Sequence, residues 1–150
     1  MRVYLVIMDE TDEAARALRF ASRRAMKTGG AVHILALVPR ESFNAFAGVQ
    51  ATIEQEAYDR AERVASSAAG SIFAESGKMP VIAVRTGDAQ AVIRAYLAEH
   101  PEVAALVLGA AADGAPGPLV THFSHHAGEL PCPLFIVPGG IGDEDMDRLS

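Results

Sequence analysis

Four short runs, Val3–Met8, Ala31–Val38, Val81–Arg85 and Val103–Leu108, are apolar almost without a break rather than at every second residue. A strand with one wet face alternates, whereas a strand covered on both faces does not, so these read as buried parallel strands. Leu134–Val137 reads as a fifth strand whose pairing the pattern leaves open. Helical patterns lie between the runs, and strand–helix–strand alternation is the mark of a parallel sheet wound in both directions. The expected fold class is α/β: a single-domain, doubly wound (Rossmann-like) sheet of five strands, mostly parallel, flanked by four helices.

The helices have their own punctuation. Asp12–Lys27 places Ala14, Ala17, Leu18, Ala21 and Ala25 at helical spacing, with acids in its first turn, bases in its last and Gly29 to close it. After a linker at Pro39–Gly48, a second helix is expected over Gln50–Ser76, burying Ile53, Ala57, Ala61, Val64, Ala68 and Ile72, with Gly70 as a weak point. Asp88 is placed to cap a third helix carrying Ala89, Val92, Ile93, Tyr96 and Leu97, which His100-Pro101 ends. A fourth, Leu119–Leu130, is expected to bury Leu119, Phe123, Ala127 and Leu130. The domain is expected to occupy residues 1–142, with 143–150 an acidic, disordered tail.

The most chemically suggestive stretch is the Gly-rich segment Gly109–Gly117, between an apolar strand and a helix that starts near Pro118. A strand, a glycine loop and a helix start form the backbone arrangement that holds phosphate, because free N–H groups and the positive end of the helix dipole meet there. Yet no Lys or Arg occurs from Ala95 through Asp147, and the loop carries Asp113. The loop has the amides of a phosphate cradle without its cations, and Pro116 and Pro118 remove two donors.

Composition excludes several classes. A net charge of −6 argues against non-specific binding to nucleic acid or to an anionic membrane. No apolar run reaches the 18 or so residues of a membrane span, and the first residues lack the pattern of a signal peptide. The single Cys allows no internal disulfide and fits a reducing cytoplasm. There is no Gly-x-x-x-x-Gly-Lys-Ser/Thr, no Gly-x-Gly-x-x-Gly and no nucleophile elbow, which argues against a P-loop NTPase, a Rossmann dehydrogenase or an α/β-hydrolase.

In order along the chain, Val6-Ile7-Met8-Asp9 with Thr11, His33–Val38, Val84-Arg85-Thr86-Gly87-Asp88 with Ala91-Val92-Ile93, Leu106–Gly109 and Pro131–Val137 resemble the universal stress protein family over about residues 2–138. The resemblance implies a cytoplasmic role in stress tolerance and a homodimer built through the last strand, Leu134–Val137. It also implies binding of ATP or another adenine nucleotide, with Mg²⁺ as a candidate companion. Residues matching the family's adenosine contacts are Asp9 and Val38, with Thr11 and Gly87 beside them. Gly109, Gly114, Gly117 and Thr121 fall in the family's phosphate loop. Its spacing there is Gly, two residues, Gly, nine residues, Gly and then Ser or Thr. Here the two residues after Gly109 are followed by Ala112 where the rule needs Gly, and no register restores it.

Two readings therefore stand side by side: a nucleotide-binding stress protein, and an interaction module of the same fold that has lost nucleotide and works through protein partners. An enzyme would need a nucleophile, a base and an oxyanion set that the sequence does not bring together; slow ATP hydrolysis is the form it would take. His122 and His126 are i, i+4 neighbours, but nothing on that helix face completes a metal set, so exposed histidines are the plainer reading. Arg40 or Arg85, reaching in from elsewhere, and protonated His122 in acid are the candidates to lend the loop a positive charge. Cys132, between two prolines and without an oriented base, reads as an inert thiol.

Overall fold

The computed structural model describes residues 1–40 and 47–150, with residues 47–50 by backbone alone. Most of the expected linker at Pro39–Gly48 lies outside the described residues. In chain order the elements are β1 (Val3–Met8), α1 (Asp12–Thr28), β2 (Ala31–Val38), α2 (Ala47–Ser76), β3 (Val81–Thr86), α3 (Ala89–Glu99), β4 (Val103–Ala110), α4 (Pro118–His125), a 3₁₀ turn (Ala127–Glu129), β5 (Leu134–Pro138) and α5 (Asp143–Leu149). The five strands lie in the order β3-β2-β1-β4-β5 and every pairing is parallel.

The unbroken apolar runs of β1, β2 and β4 have the reason expected of them, whereas β3, expected to be buried, is an edge strand that leaves Val81 50% and Ile82 36% exposed. On β1, Tyr4 and Val6 join the core beneath α1, α2 and α5, while Val3, Leu5 and Ile7 join the core beneath α3 and α4. Successive side chains on a strand point to opposite faces, so a strand with helices on both sides must be apolar throughout.

Caps define the helix starts. The Thr11 hydroxyl accepts from the Ala14 N–H at 3.2 Å to cap α1, and Asp88 accepts from the Ala91 N–H at 3.1 Å to cap α3. Gly29 closes α1 with φ +67°, a conformation that costs other residues about 1 kcal/mol or more.

Three expectations are corrected. The fourth helix ends at His125 instead of Leu130, and the chain continues as a 3₁₀ turn, because Leu130 precedes Pro131 and is held extended at ψ 146°. Ala127 is exposed there, and Val120 is buried beside Phe123 instead. In α2 only Ala68 and Ile72 of the expected stripe are deeply buried, joined in the core by Ala65 and Ala69, while Val64 is half-buried and Ile53 is 37% exposed. At about 1.5 Å per residue the 30 residues of α2 run roughly 45 Å, while the eight of β2 span roughly 26 Å, so the helix overhangs the sheet. The third correction is the tail. Residues 143–149 form a fifth helix, anchored by fully buried Met146 and lying along the basic side of α1.

Candidate functional site

The sheet runs outward in both directions from the β1–β4 pair, so the loops after these two strands flank the point where the winding reverses. Open α/β sheets bind ligands there, beyond the carboxyl ends of their strands. Asp9 follows β1 directly, and the Gly-rich loop follows β4.

Asp9 is fixed by its own turn. Its Oδ1 accepts from the backbone N–H of Thr11 at 2.8 Å and from the Thr11 hydroxyl at 2.5 Å. Thr11 Oγ1 also accepts from Ala14, so this hydroxyl is spent on the helix cap. Among the described residues Oδ2 of Asp9 has no partner. A carboxylate with one oxygen locked and one open is well prepared to accept a hydrogen bond from a ligand.

Two hollows meet at Asp9. The smaller, about 170 Å³, is lined by Asp9, Leu37, Val38, Ala57, Arg60 and Ala61 among others. The larger, about 650 Å³, lies between α1 and α2, with Leu18, Val64, Ala68 and Ile72 below and both bases (Arg16, Arg19, Arg63) and acids (Asp12, Glu75) around it, beside Thr11 and Ser67. Met8, Asp9, Glu10 and Val64 line both. The larger falls in the range of about 300–1,000 Å³ usual for small-molecule sites.

Val38, 1% exposed at the end of β2, accepts a hydrogen bond through its carbonyl from the Gly87 N–H at 3.0 Å. Gly87 turns β3 into α3 with φ +146°, and a β-carbon there would meet Val92 at 3.0 Å. Gly87 thus supports Val38 from behind and lines neither hollow.

The Gly-rich loop is committed to its own structure. Gly109 is a packing glycine, its back filled by the first turn of α1. The Ala111 N–H donates to the Pro116 carbonyl at 3.1 Å, and Gly114 and Gly117 take φ +74° and +113° in open space. Thr121 turns its hydroxyl back to the Gly117 carbonyl at 3.0 Å. Proline opens α4, and Gly117 supplies no side-chain cap. None of Gly109, Gly114, Gly117 and Thr121 lines either hollow at Asp9.

The cations absent from the loop come from elsewhere. Arg60 and Arg63 reach the hollows from the overhanging part of α2 and make no ion pair among the described residues. Arg16 and Arg19 come from α1. The reading of the sequence missed these four because they are distant from the glycines. The unusual length of α2 was the available signal.

Two of the histidines at α4 have protein partners. His122 Nε2 lies 3.4 Å from an Arg94 guanidinium nitrogen, and His126 pairs with Glu129 at 3.3 Å. Partial burial, then His126 and Arg94, push His122 below its ordinary range, so it is a poor source of positive charge for the loop. No group of three metal-ligating side chains occurs among the described residues. Cys132 is partly buried, and that burial pushes its thiol up, away from the reactive thiolate. A second histidine set escaped the sequence reading: buried His33 Nδ1 lies 2.8 Å from the Tyr96 hydroxyl, and the Tyr96 ring stacks on His100 at 3.9 Å.

A family model described as the universal stress protein family matches residues 1–138. The chain belongs to that family. Among solved structures it is similar to the universal stress protein UspA from Lactobacillus plantarum, at 19% identity and TM-score 0.77, covering 91% of this chain and 97% of that one. A family protein from Arabidopsis thaliana with AMP bound matches at 15% identity and TM-score 0.62, over 97% of this chain and 95% of its own. The Archaeoglobus fulgidus universal stress protein in complex with dAMP matches at 17% identity and TM-score 0.57, over 91% and 97%. At these identities the likeness establishes the shared fold. Among curated proteins none matches significantly. No described helix of this universal stress protein is long and apolar enough to cross a membrane.

Proposed function

We propose that this universal stress protein binds an adenine nucleotide at the carboxyl edge of its sheet and acts as a cytoplasmic stress-response binder rather than an enzyme. The observation that carries the reading is the meeting of Asp9 and Val38, the two residues matching the family's adenosine contacts, around one hollow with Arg60. Solved relatives with AMP or dAMP bound support the ligand class. Asp9 accepts from the ligand through Oδ2, Val38 and Ala57 supply apolar contact, and Arg60 supplies charge. Thr11 and Gly87 hold Asp9 and Val38 in place.

The cofactor is ATP or another adenine nucleotide, with Mg²⁺ as a companion for a triphosphate. The test is a thermal-shift titration with ATP, AMP and adenosine, with and without Mg²⁺. A ligand at 100 times its dissociation constant stabilises the fold by about 2.7 kcal/mol. No shift at millimolar AMP or ATP would leave the second reading.

That second reading is an interaction module without nucleotide, and the loop favours it: Gly109 is packed shut, Thr121 is bonded back and two prolines replace donors. In both readings we propose a homodimer through β5, an edge strand pairing only with β4 and presenting Ile136 at 41% exposure. A monomer in sedimentation equilibrium would overturn it.

A further inference from the structure

The match to the family model ends at residue 138, and α5 begins beyond it, at Asp143. It lies along one row of α1, where Arg16, Arg19, Arg23 and Lys27 succeed one another at spacings of three or four residues and so share a face. Asp143 pairs with Arg16 and approaches Arg19 Nε at 3.8 Å. Asp147 pairs with Arg19 at 3.2 Å and with Arg23 at 3.1 Å, and Lys27 donates to the Asp147 carbonyl at 2.6 Å. Two of these bases, Arg16 and Arg19, also line the larger hollow beside Asp9.

The cations nearest to Asp9 on α1 are therefore already neutralised by carboxylates the protein itself supplies, chiefly those of Asp143 and Asp147 on α5, with Glu75 of α2 4.0 Å from Arg19. We infer that α5 is a built-in competitor for the arginines of the α1–α2 hollow: a phosphate-bearing ligand anchored at Asp9 recruits Arg16 and Arg19 by displacing the carboxylates of Asp143 and Asp147. This rests on the nucleotide reading above and adds its regulation. The chemistry is an exchange of one charge-assisted pair for another, guanidinium–carboxylate for guanidinium–phosphate, so it discriminates by ligand charge. A triphosphate competes well, a monophosphate less, and an uncharged nucleoside not at all. Met146 keeps α5 on α1 while its carboxylates exchange. Coupling of this kind is reciprocal: whatever weakens the carboxylates' hold tightens the anion, and the anion loosens α5.

The experiment is calorimetric titration of the full chain with ATP and with adenosine at one fixed, low salt concentration, for three proteins: wild type, Asp143→Asn/Asp147→Asn and Glu144→Gln/Asp145→Asn. The last pair removes the same two charges from the same helix without touching Arg16 or Arg19, since Asp145 pairs only with Arg148. Asp143→Asn/Asp147→Asn is expected to bind ATP at least fivefold more tightly than either other protein, with adenosine affinity equal in all three. Equal ATP affinity in the two double variants overturns the inference and, if adenosine still binds, leaves the nucleotide reading standing. No binding of either ligand by any of the three removes both. Should Asp143→Asn/Asp147→Asn fail to fold, hydrogen exchange on the wild type decides: saturating ATP speeds exchange of the Met146 and Ser150 amides severalfold and adenosine does not, whereas unchanged exchange with bound ATP overturns the inference.

Discussion

Gly109 on β4 backs so closely onto the first turn of α1 that a β-carbon at residue 109 would stand 2.0 Å from the carbonyl oxygen of Glu13. Backbone cannot yield to that as a flexible side chain would. The glycine that opens the loop is thus needed to seat α1, and with it Asp9 and Thr11, against the end of the sheet.

Gly109→Ala is therefore expected to cost about 3 kcal/mol or more, at the upper end of overpacking effects. Gly114→Ala, strained only by φ +74° in open space, is expected to cost about 1–2 kcal/mol. Urea denaturation measures both. Equal costs would return Gly109 to the role of a loop glycine.

The His33–Tyr96–His100 set predicts a pH dependence of stability. Burial first, then the neighbouring His100, hold His33 below its ordinary value of 6.5, against an opposing pull from Glu102. Tyr96 sits under Arg85, which pairs with Glu99, and its burial pushes the phenol up. Below pH 6.5 the unfolded chain takes up a proton at residue 33 that the folded chain refuses, so stability falls as pH drops from that value toward the folded one. Urea midpoints measured from pH 7.5 to 5 are expected to fall less steeply in His33→Gln than in wild type, although His33→Gln starts lower. Tyr96→Phe removes one buried bond and is expected to cost about 1–3 kcal/mol at pH 7.5. Parallel slopes for wild type and His33→Gln would contradict the account.

Met146, fully buried, contributes more to the docking of α5 than the ion pairs around it do. Exposed pairs are worth about 0–1 kcal/mol each, whereas truncating a buried Met costs about 2–5 kcal/mol. Met146→Ala is expected to abolish exchange protection of the α5 amides, and 0.5 M NaCl to weaken it only in part. Greater loss of protection in salt than in Met146→Ala would reverse the ranking.

These particulars mark how far the sequence could be read. β1 and β2 were legible to the residue, because burial on both faces demands unbroken apolar runs. The cap Asp88 was legible from its place before the helix, whereas the cap of α1 is Thr11, which the sequence did not single out for that part. Asp9 and Val38 were singled out through family resemblance, and both line one hollow. What stayed hidden depends on contacts between distant segments. The seven residues of α5 are too few for a periodic stripe, and their partners sit on α1, more than a hundred residues earlier. Arg60 and Arg63 reach the site only because α2 outruns the strands it covers. His33 and Tyr96, on different elements, give no local signal that they pair.

The central claim, an adenine nucleotide seated at Asp9, is tested most directly by mapping amide chemical shifts while AMP is added to the full chain. Saturable shifts are predicted at Asp9, Glu10, Thr11, Val38 and Arg60, with affinity reduced about tenfold or more in Asp9→Ala. Shifts absent at millimolar AMP, or confined to residues remote from Asp9 and Val38, would contradict it.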